Sequence, residues 1–99
     1  MTINQTQENG KIIFALEGRL DTSTSPRLQE ALFPVFDEAK EITLDFAELA
    51  YISSAGLRVL LMGQKMANAK GISMTIINVS QEIMEVFELT GFTDMLAIK

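Results

Sequence analysis

Segments with strand periodicity alternate with segments with helical periodicity along this chain, and no other feature restricts its fold so strongly. The strand patterns cover residues 3–8, 11–17, 41–46 and 72–79, and the helical patterns cover residues 25–36, 54–70 and 81–90. Right-handed crossovers join strands that alternate with helices, which places the strands in a parallel or mixed sheet. We therefore expect one α/β domain over residues 1–99, with a mixed four- to five-stranded sheet packed with amphipathic helices. The fifth strand would be short, at residues 95–98.

Short local signals refine this outline. Asn9-Gly10 lies between the first two strand patterns and supplies the positive φ angles of a tight hairpin turn. Ser25 before Pro26 predicts a helix start, with the serine as cap and the proline in the first turn. Pro34 should kink or split the helix that follows. The second strand contains the nearly all-apolar run IIFAL, which predicts a strand covered on both faces or well inside the sheet.

The composition removes several classes of function. The chain contains no cysteine and no histidine, so a thiol nucleophile, a thiolate metal site and a serine–histidine pair are all excluded. A net charge of −5 disfavours nucleic acid as a partner. The first residues lack a signal-peptide pattern, and the apolar runs are too short to cross a membrane. We expect a soluble, cytoplasmic protein that is not an enzyme and needs no cofactor or metal.

The turn Ser53-Ser54-Ala55-Gly56 separates a strand pattern from an apolar helix and is the part of the sequence that says most about function. The first N–H groups of a helix lack intrahelical partners and carry partial positive charge, so this position favours an anion. A serine here can cap the helix, which stabilises it by about 1 kcal/mol, or it can be phosphorylated, which adds a charge of about −2. Spacing alone favours the cap. Two adjacent serines allow one to cap while its neighbour stays free.

The helix after this turn has two distinct faces. Small and apolar residues recur on the face expected against the sheet, namely Gly56, Val59, Leu60, Gly63 and Ala67. The opposite face carries Arg58, Met62, Lys65 and Ala69. Met62 is therefore expected to be exposed between charged residues, and an exposed methionine beside a modifiable serine is a candidate anchor for a partner protein.

Several of these segments together resemble a known family. The segment Gly18-Arg19-Leu20-Asp21 precedes a helix, and ITLDFAELAYISSAGLRVLL, the strand ISMTIINV and the helix ending in ELTGF follow in order. This arrangement resembles the bacterial anti-sigma factor antagonists of the STAS domain family. The resemblance covers nearly the whole chain, from the first hairpin to Lys99.

The resemblance implies a partner switch that regulates transcription. In this family an unphosphorylated antagonist binds an anti-sigma factor, often itself a serine kinase, and so frees a sigma factor. Phosphorylation of one serine at the start of the second crossover helix abolishes the binding, and a serine phosphatase resets the system. By motif that serine is Ser54, which precedes Ala55-Gly56-Leu57, and Ser53 is the second choice. Ser53 stands where many members of the family have an aspartate.

The resemblance also implies which residues the kinase or partner recognises. Asp21 matches a family aspartate near the phosphorylated serine that is thought to assist kinase recognition or phosphoryl transfer. The full set expected to contact the kinase or partner is Asp21, Ser53, Ala55, Gly56, Leu57, Arg58 and Met62. Because the chain lacks a histidine to activate the serine, ATP and magnesium should come from the partner kinase.

Two alternatives stay open at this point. The chain can be a STAS regulatory or scaffold module of another phospho-relay, or of a pathway that senses a small ligand. The two serines can also act only as helix caps in a domain that binds its partner constitutively. Neither alternative involves nucleic acid or a membrane.

Overall fold

The computed structural model describes residues 1–99 and consists of a four-stranded sheet with three α-helices. The elements in chain order are β1 (Thr2–Glu8), β2 (Lys11–Leu20), α1 (Ser25–Leu32), β3 (Glu41–Ile52), α2 (Ser54–Lys70), β4 (Ser73–Ile77) and α3 (Gln81–Thr90). The strand order is β1-β2-β3-β4, with β1 antiparallel to β2 and the other two pairs parallel. The α/β class with a mixed sheet is thereby confirmed. The short fifth strand is reduced to a single parallel bridge between Ile76 and Ile98.

The predicted hairpin and the predicted break at Pro34 are both present. Asn9 and Gly10 have φ angles of 53° and 83°, so both turn residues have the positive φ that a tight two-residue hairpin requires. Helix α1 ends at Leu32 and continues as a 3-10 helix over Phe33–Asp37, because a proline inside an α-helix removes one backbone hydrogen bond and clashes with the preceding turn.

Strand β2 lies inside the sheet, between β1 and β3, and is covered on one face only. Of the two predicted arrangements, a position inside the sheet is confirmed and burial of both faces is wrong. Ile12, Phe14 and Leu16 are at most 1% exposed, whereas Ile13 between them is 41% exposed. The buried side chains belong to a single apolar core that also takes in the helices. An apolar residue on the open face of a sheet is common, which is why the run IIFAL did not distinguish the two arrangements.

Strand β3 is longer than its sequence pattern predicts. The pairing register with β2 shifts after Asp45, where the Asp45 carboxylate accepts hydrogen bonds from the Ala47 N–H and the Asn78 side-chain amide, both at 3.0 Å. Burial beyond the shift recurs at Leu49 and Ile52, with a spacing of three instead of two. The alternating pattern therefore stops at Phe46 although the strand runs on to Ile52 and delivers the chain to α2.

Helix α2 lies close to the sheet along its small-residue face. A Cβ atom on Gly63 would approach Leu32 Cδ2 to 3.1 Å and Met74 Sδ to 3.3 Å, so glycine permits this separation. The two predicted faces of α2 are confirmed, because the five small and apolar positions are buried while Arg58, Met62, Lys65 and Ala69 are exposed. No helix of the chain is both long enough and apolar enough to cross a membrane.

Candidate functional site

The two segments singled out by the sequence meet at one edge of the sheet. Strands β2 and β3 are parallel, and Leu20 pairs with Ile52 at their carboxyl ends. The Ser53 N–H donates to the Leu20 carbonyl at 2.9 Å, so Asp21 and Ser53 leave the sheet side by side. The loop before α1 and the first turn of α2 are consequently neighbours.

The two adjacent serines have different environments. Ser53 is the N-cap of α2, with φ −98° and ψ 174°, and its Oγ accepts a hydrogen bond from the Gly56 N–H at 3.3 Å. The Ser53 carbonyl also accepts the first intrahelical bond, from the Leu57 N–H at 3.0 Å. Ser54 is the first helical residue, is exposed, and has no hydrogen bond to its hydroxyl. The cap and the free hydroxyl are thus on separate residues.

The residues that follow Ser54 hold the start of the helix in place. A Cβ on Gly56 would lie 2.8 Å from Leu20 Cγ and 2.9 Å from Ile52 Cγ1, closer than side chains pack. Leu57 is only 6% exposed and belongs to the core. Gly56 and Leu57 therefore determine the position of the first turn of α2, whereas Ala55 is half-buried at the surface.

The Asp21 carboxylate organises the loop before α1. Its Oδ1 accepts a hydrogen bond from the Ser23 hydroxyl at 2.8 Å and from the N–H groups of Ser23 and Thr24 at 3.0 and 3.1 Å. The hydrogen bond from the Ser23 hydroxyl, followed by that from the Thr24 amide, holds the pKa of the Asp21 carboxyl below its ordinary value of 3.8. Asp21 therefore carries a full negative charge beside the start of α2 at neutral pH.

The same loop corrects the predicted helix cap at Ser25. Thr24 occupies the cap position, and Ser25 is the first residue of α1. Ser25 is 2% exposed and its hydroxyl donates to the Asp21 carbonyl instead of accepting from the helix. The Asp21 carboxylate already accepts the N–H groups of Ser23 and Thr24 ahead of α1. The Ser25 hydroxyl is therefore not needed as a cap, and its bond to the Asp21 carbonyl holds the loop in place.

Arg19 and Tyr51 form a stacked pair beside Asp21, and this pair was not predicted from the sequence. The Arg19 guanidinium carbon lies 4.1 Å from the centroid of the Tyr51 ring, and Arg19 Nε lies 3.9 Å from Asp21 Oδ2. Arg19 and Tyr51 are partners in the register between β2 and β3. This register comes after the shift in β3, so the pairing could not be read from the alternating pattern.

A shallow cleft separates the first turns of α1 and α2. It has a volume of about 140 Å³ and is lined by Thr22, Ser25, Pro26, Gln29, Ala55, Arg58, Val59 and Met62. Arg58 is the only charged residue in this lining, and Met62 is 38% exposed. The α1 side of the cleft was missed from the sequence, although carboxyl ends of adjacent parallel strands are a general place for binding sites. A larger concavity, of about 360 Å³, lies on the hairpin at the far end of β2, and Ile13 is the one hydrophobic residue among the six that line it.

Comparison with known proteins places this arrangement in a family. The sequence matches the STAS domain over residues 2–99. The anti-sigma-B factor antagonist of Bacillus subtilis is 26% identical over 98 residues, which are 99% of this chain and 90% of that protein.

Two solved structures share the fold. An anti-sigma factor antagonist from Mycobacterium paratuberculosis superposes with a TM-score of 0.87 at 18% identity, covering 98% of this chain and 83% of that chain. The phosphorylated form of the Bacillus cell fate determinant SpoIIAA superposes with a TM-score of 0.79 at 16% identity, covering 99% of this chain and 91% of that chain. Because the STAS domain model matches residues 2–99, the chain belongs to the STAS domain family.

Proposed function

We propose that this chain is an anti-sigma factor antagonist controlled by phosphorylation of Ser54. Without phosphate it binds an anti-sigma factor that is also a serine kinase, and so releases a sigma factor for transcription. With phosphate on Ser54 it no longer binds, and a serine phosphatase restores the binding form. The chain is the substrate of this cycle and not an enzyme, and its site of action is the cytoplasm.

One observation carries the proposal, namely that the cap and the free hydroxyl belong to different serines. Ser53 Oγ is engaged by the Gly56 N–H at 3.3 Å, whereas Ser54 is exposed and its hydroxyl is unbonded. A kinase can therefore reach the Ser54 hydroxyl without disturbing the cap that holds α2. Phosphoryl transfer to Ser53 would require its hydroxyl to leave the Gly56 N–H while it attacks, whereas the Ser54 hydroxyl is already free, and for this reason Ser54 is the better acceptor.

The phosphoryl transfer needs only the hydroxyl from this chain. Ser54 Oγ forms a bond to the γ-phosphorus of ATP held by the kinase, the bond between that phosphorus and the bridging oxygen breaks, and ADP leaves. The hydroxyl proton passes to a base of the kinase or to solvent. Asp21 is ionised, lies at the same edge of the sheet, and is well placed to contact a kinase cation or its magnesium ion.

A phosphate at Ser54 can stop binding without unfolding the domain. It adds a charge of about −2 at the first residue of a helix, where the partial positive charge of the N–H groups favours an anion. The same charge in a docking surface that includes Met62 opposes binding, because a doubly charged group must lose its water in a partly apolar interface. The change therefore acts on the surface and leaves the core as it is.

The named relatives support this proposal. The Bacillus subtilis protein is named as an antagonist of the anti-sigma-B factor, and it aligns with almost all of this chain. SpoIIAA, which shares the fold, has been solved in a phosphorylated form. The position of Ser54 at the start of α2 is compatible with the same kind of control here.

The test is a reaction with the ATPase-type anti-sigma factor kinase encoded in the same genome. We expect ATP and magnesium to add one phosphate to the wild-type protein and to Ser53→Asp, but none to Ser54→Ala. Titration calorimetry should show that Ser54→Ala binds the kinase as tightly as the unphosphorylated wild type, while the phosphorylated protein binds at least tenfold more weakly. Equal binding of the two phosphorylation states would contradict the proposal.

A further inference from the structure

The charges of this protein are strongly segregated along the chain. No acidic residue occurs between Glu48 and Glu82, although the chain as a whole has 13 acidic residues and a net charge of −5. The same interval carries three cations, and all of them lie on α2, at Arg58, Lys65 and Lys70. Helix α2 is therefore a positively charged element on an acidic domain.

Two of these three cations have no partner in the structure. Lys70 Nζ pairs with Asp37 Oδ1 at 2.9 Å, whereas the other ion pairs of the chain, Lys11–Glu41 and Arg19–Asp21, do not involve α2. Arg58 and Lys65 are exposed and unpaired. Together with Ser54 and Met62 they form one exposed row along the helix, which we call the α2 stripe. The stripe begins at the proposed phosphorylation site and borders the cleft against α1.

We propose that the α2 stripe docks on an acidic protein surface, that Arg58 pairs with a carboxylate of that surface, and that a phosphate on Ser54 takes Arg58 away from it. This inference rests on the proposed function and specifies the chemistry of the partner surface and of the switch. Outside α2 the chain has 13 acidic and five basic residues, so on balance it repels an acidic partner there and the stripe favours one orientation of approach. Met62 supplies the apolar contact between the two cations.

The spacing of Ser54 and Arg58 makes the second part of the proposal specific. Residues at positions i and i+4 of a helix have Cβ atoms about 5–6 Å apart, and the anion is best placed at the N-terminal position of the pair. A phosphate offers several acceptor oxygens to the planar fork of a guanidinium. Lys65 lies about 16 Å from Ser54 along the helix axis, which is beyond the screening length of roughly 8 Å at physiological salt. Arg58 is therefore within reach of the phosphate and Lys65 is not.

The capture of Arg58 is testable on the isolated protein. We would incorporate phosphoserine at position 54 and follow its second ionisation by phosphorus NMR in the wild type, Arg58→Gln and Lys65→Gln. An unpaired phosphoserine has a second pKa of about 6, and we expect Arg58→Gln to raise the observed pKa by about 0.3 relative to the wild type. Lys65→Gln is the matched control, with the same charge change on the same stripe, and should leave the value unchanged. Equal values in all three proteins would overturn the capture.

The acidic partner surface is testable by binding to the anti-sigma factor kinase of the same genome. We expect Arg58→Glu to raise the Kd at least tenfold and Arg58→Lys to raise it less, with wild-type affinity falling as salt is added. Lys40→Glu makes the same charge change at the opposite end of β3, about 35 Å away, and should have no effect. Circular dichroism and urea unfolding should show that every variant is folded.

The outcomes separate this inference from the proposed function. If the wild type does not bind the kinase, the proposed function is wrong, and phosphorus NMR still decides whether Arg58 captures the phosphate. If the wild type binds and phosphate releases it, but Arg58→Glu and Arg58→Gln behave as the wild type does, the proposed function stands and this inference is wrong. Retention of the wild type by duplex DNA at physiological salt, lost in Arg58→Glu, would assign the stripe to nucleic acid and also overturn it.

Discussion

Replacing each of the two adjacent serines by alanine should have unequal effects on stability. Ser53→Ala removes the hydroxyl that accepts from the Gly56 N–H at 3.3 Å, so the first turn of α2 loses its side-chain cap. Ser54→Ala removes an exposed hydroxyl without a hydrogen bond. The two substitutions delete the same atom from neighbouring positions, and only their place in the helix differs.

The size of the difference follows from the cap. Loss of a serine N-cap costs about 1 kcal/mol of the free energy of unfolding, with a range of roughly 0.5–2. An exposed substitution without contacts changes it by less than about 0.5 kcal/mol. In a domain of this length, about 1 kcal/mol corresponds to a fall in Tm of roughly 4–8 °C. Urea unfolding followed by circular dichroism, together with a thermal scan, measures both quantities.

A third variant makes the comparison conclusive. Ser53→Asp provides another good capping side chain and should restore the stability lost in Ser53→Ala to within about 0.5 kcal/mol. If Ser54→Ala destabilises the protein as much as Ser53→Ala does, the two serines share the capping role. In that case the division between a capping and a free hydroxyl, on which the proposed function rests, is wrong.

Further predictions concern the residues around the two serines. Gly56→Ala should lower the free energy of unfolding by about 1–3 kcal/mol in urea unfolding, because its Cβ would lie 2.8 Å from Leu20 Cγ; an unchanged midpoint would contradict this packing. The folded pKa of Asp21 is lowered, so its contribution to stability is present above the unfolded pKa of about 3.9 and is lost as pH falls through the folded pKa. The stability difference between the wild type and Asp21→Asn should therefore be largest near neutral pH and shrink in acid, and a constant difference would refute it. Met62→Asp should fold normally yet bind the kinase at least tenfold more weakly, and unchanged calorimetric affinity would exclude Met62 from the interface.

The sequence was sufficient for the elements whose pattern is local. The hairpin followed from the backbone freedom of Asn9-Gly10, and the two faces of α2 followed from helical spacing. The break after Leu32 followed from Pro34. In each case a residue near in sequence determines the backbone, so no knowledge of the tertiary structure was needed.

The features that were missed depend on contacts between distant segments. The length of β3 depends on the register shift after Asp45, which Asn78 helps to hold from beyond β4. The Arg19–Tyr51 stack depends on the pairing of β2 with β3. The role of Ser25 is a local exception, because its hydroxyl donates to the Asp21 carbonyl only four residues earlier instead of capping the helix. At the site, exposure of Arg58 and Met62 could be predicted because both lie on one face of α2. The residues of α1 across the cleft become their neighbours only when β2 and β3 pair in parallel.

The most direct test of the proposed switch is phosphopeptide mapping of the protein isolated from its own cells under stressed and unstressed growth. Trypsin should release residues 41–58, EITLDFAELAYISSAGLR, which carry both serines on one fragment. Fragmentation between the two serines then assigns the phosphate. We predict phosphate on Ser54, with an occupancy that changes between the two conditions. Phosphate on Ser53, or an unmodified fragment under both conditions, would contradict the account.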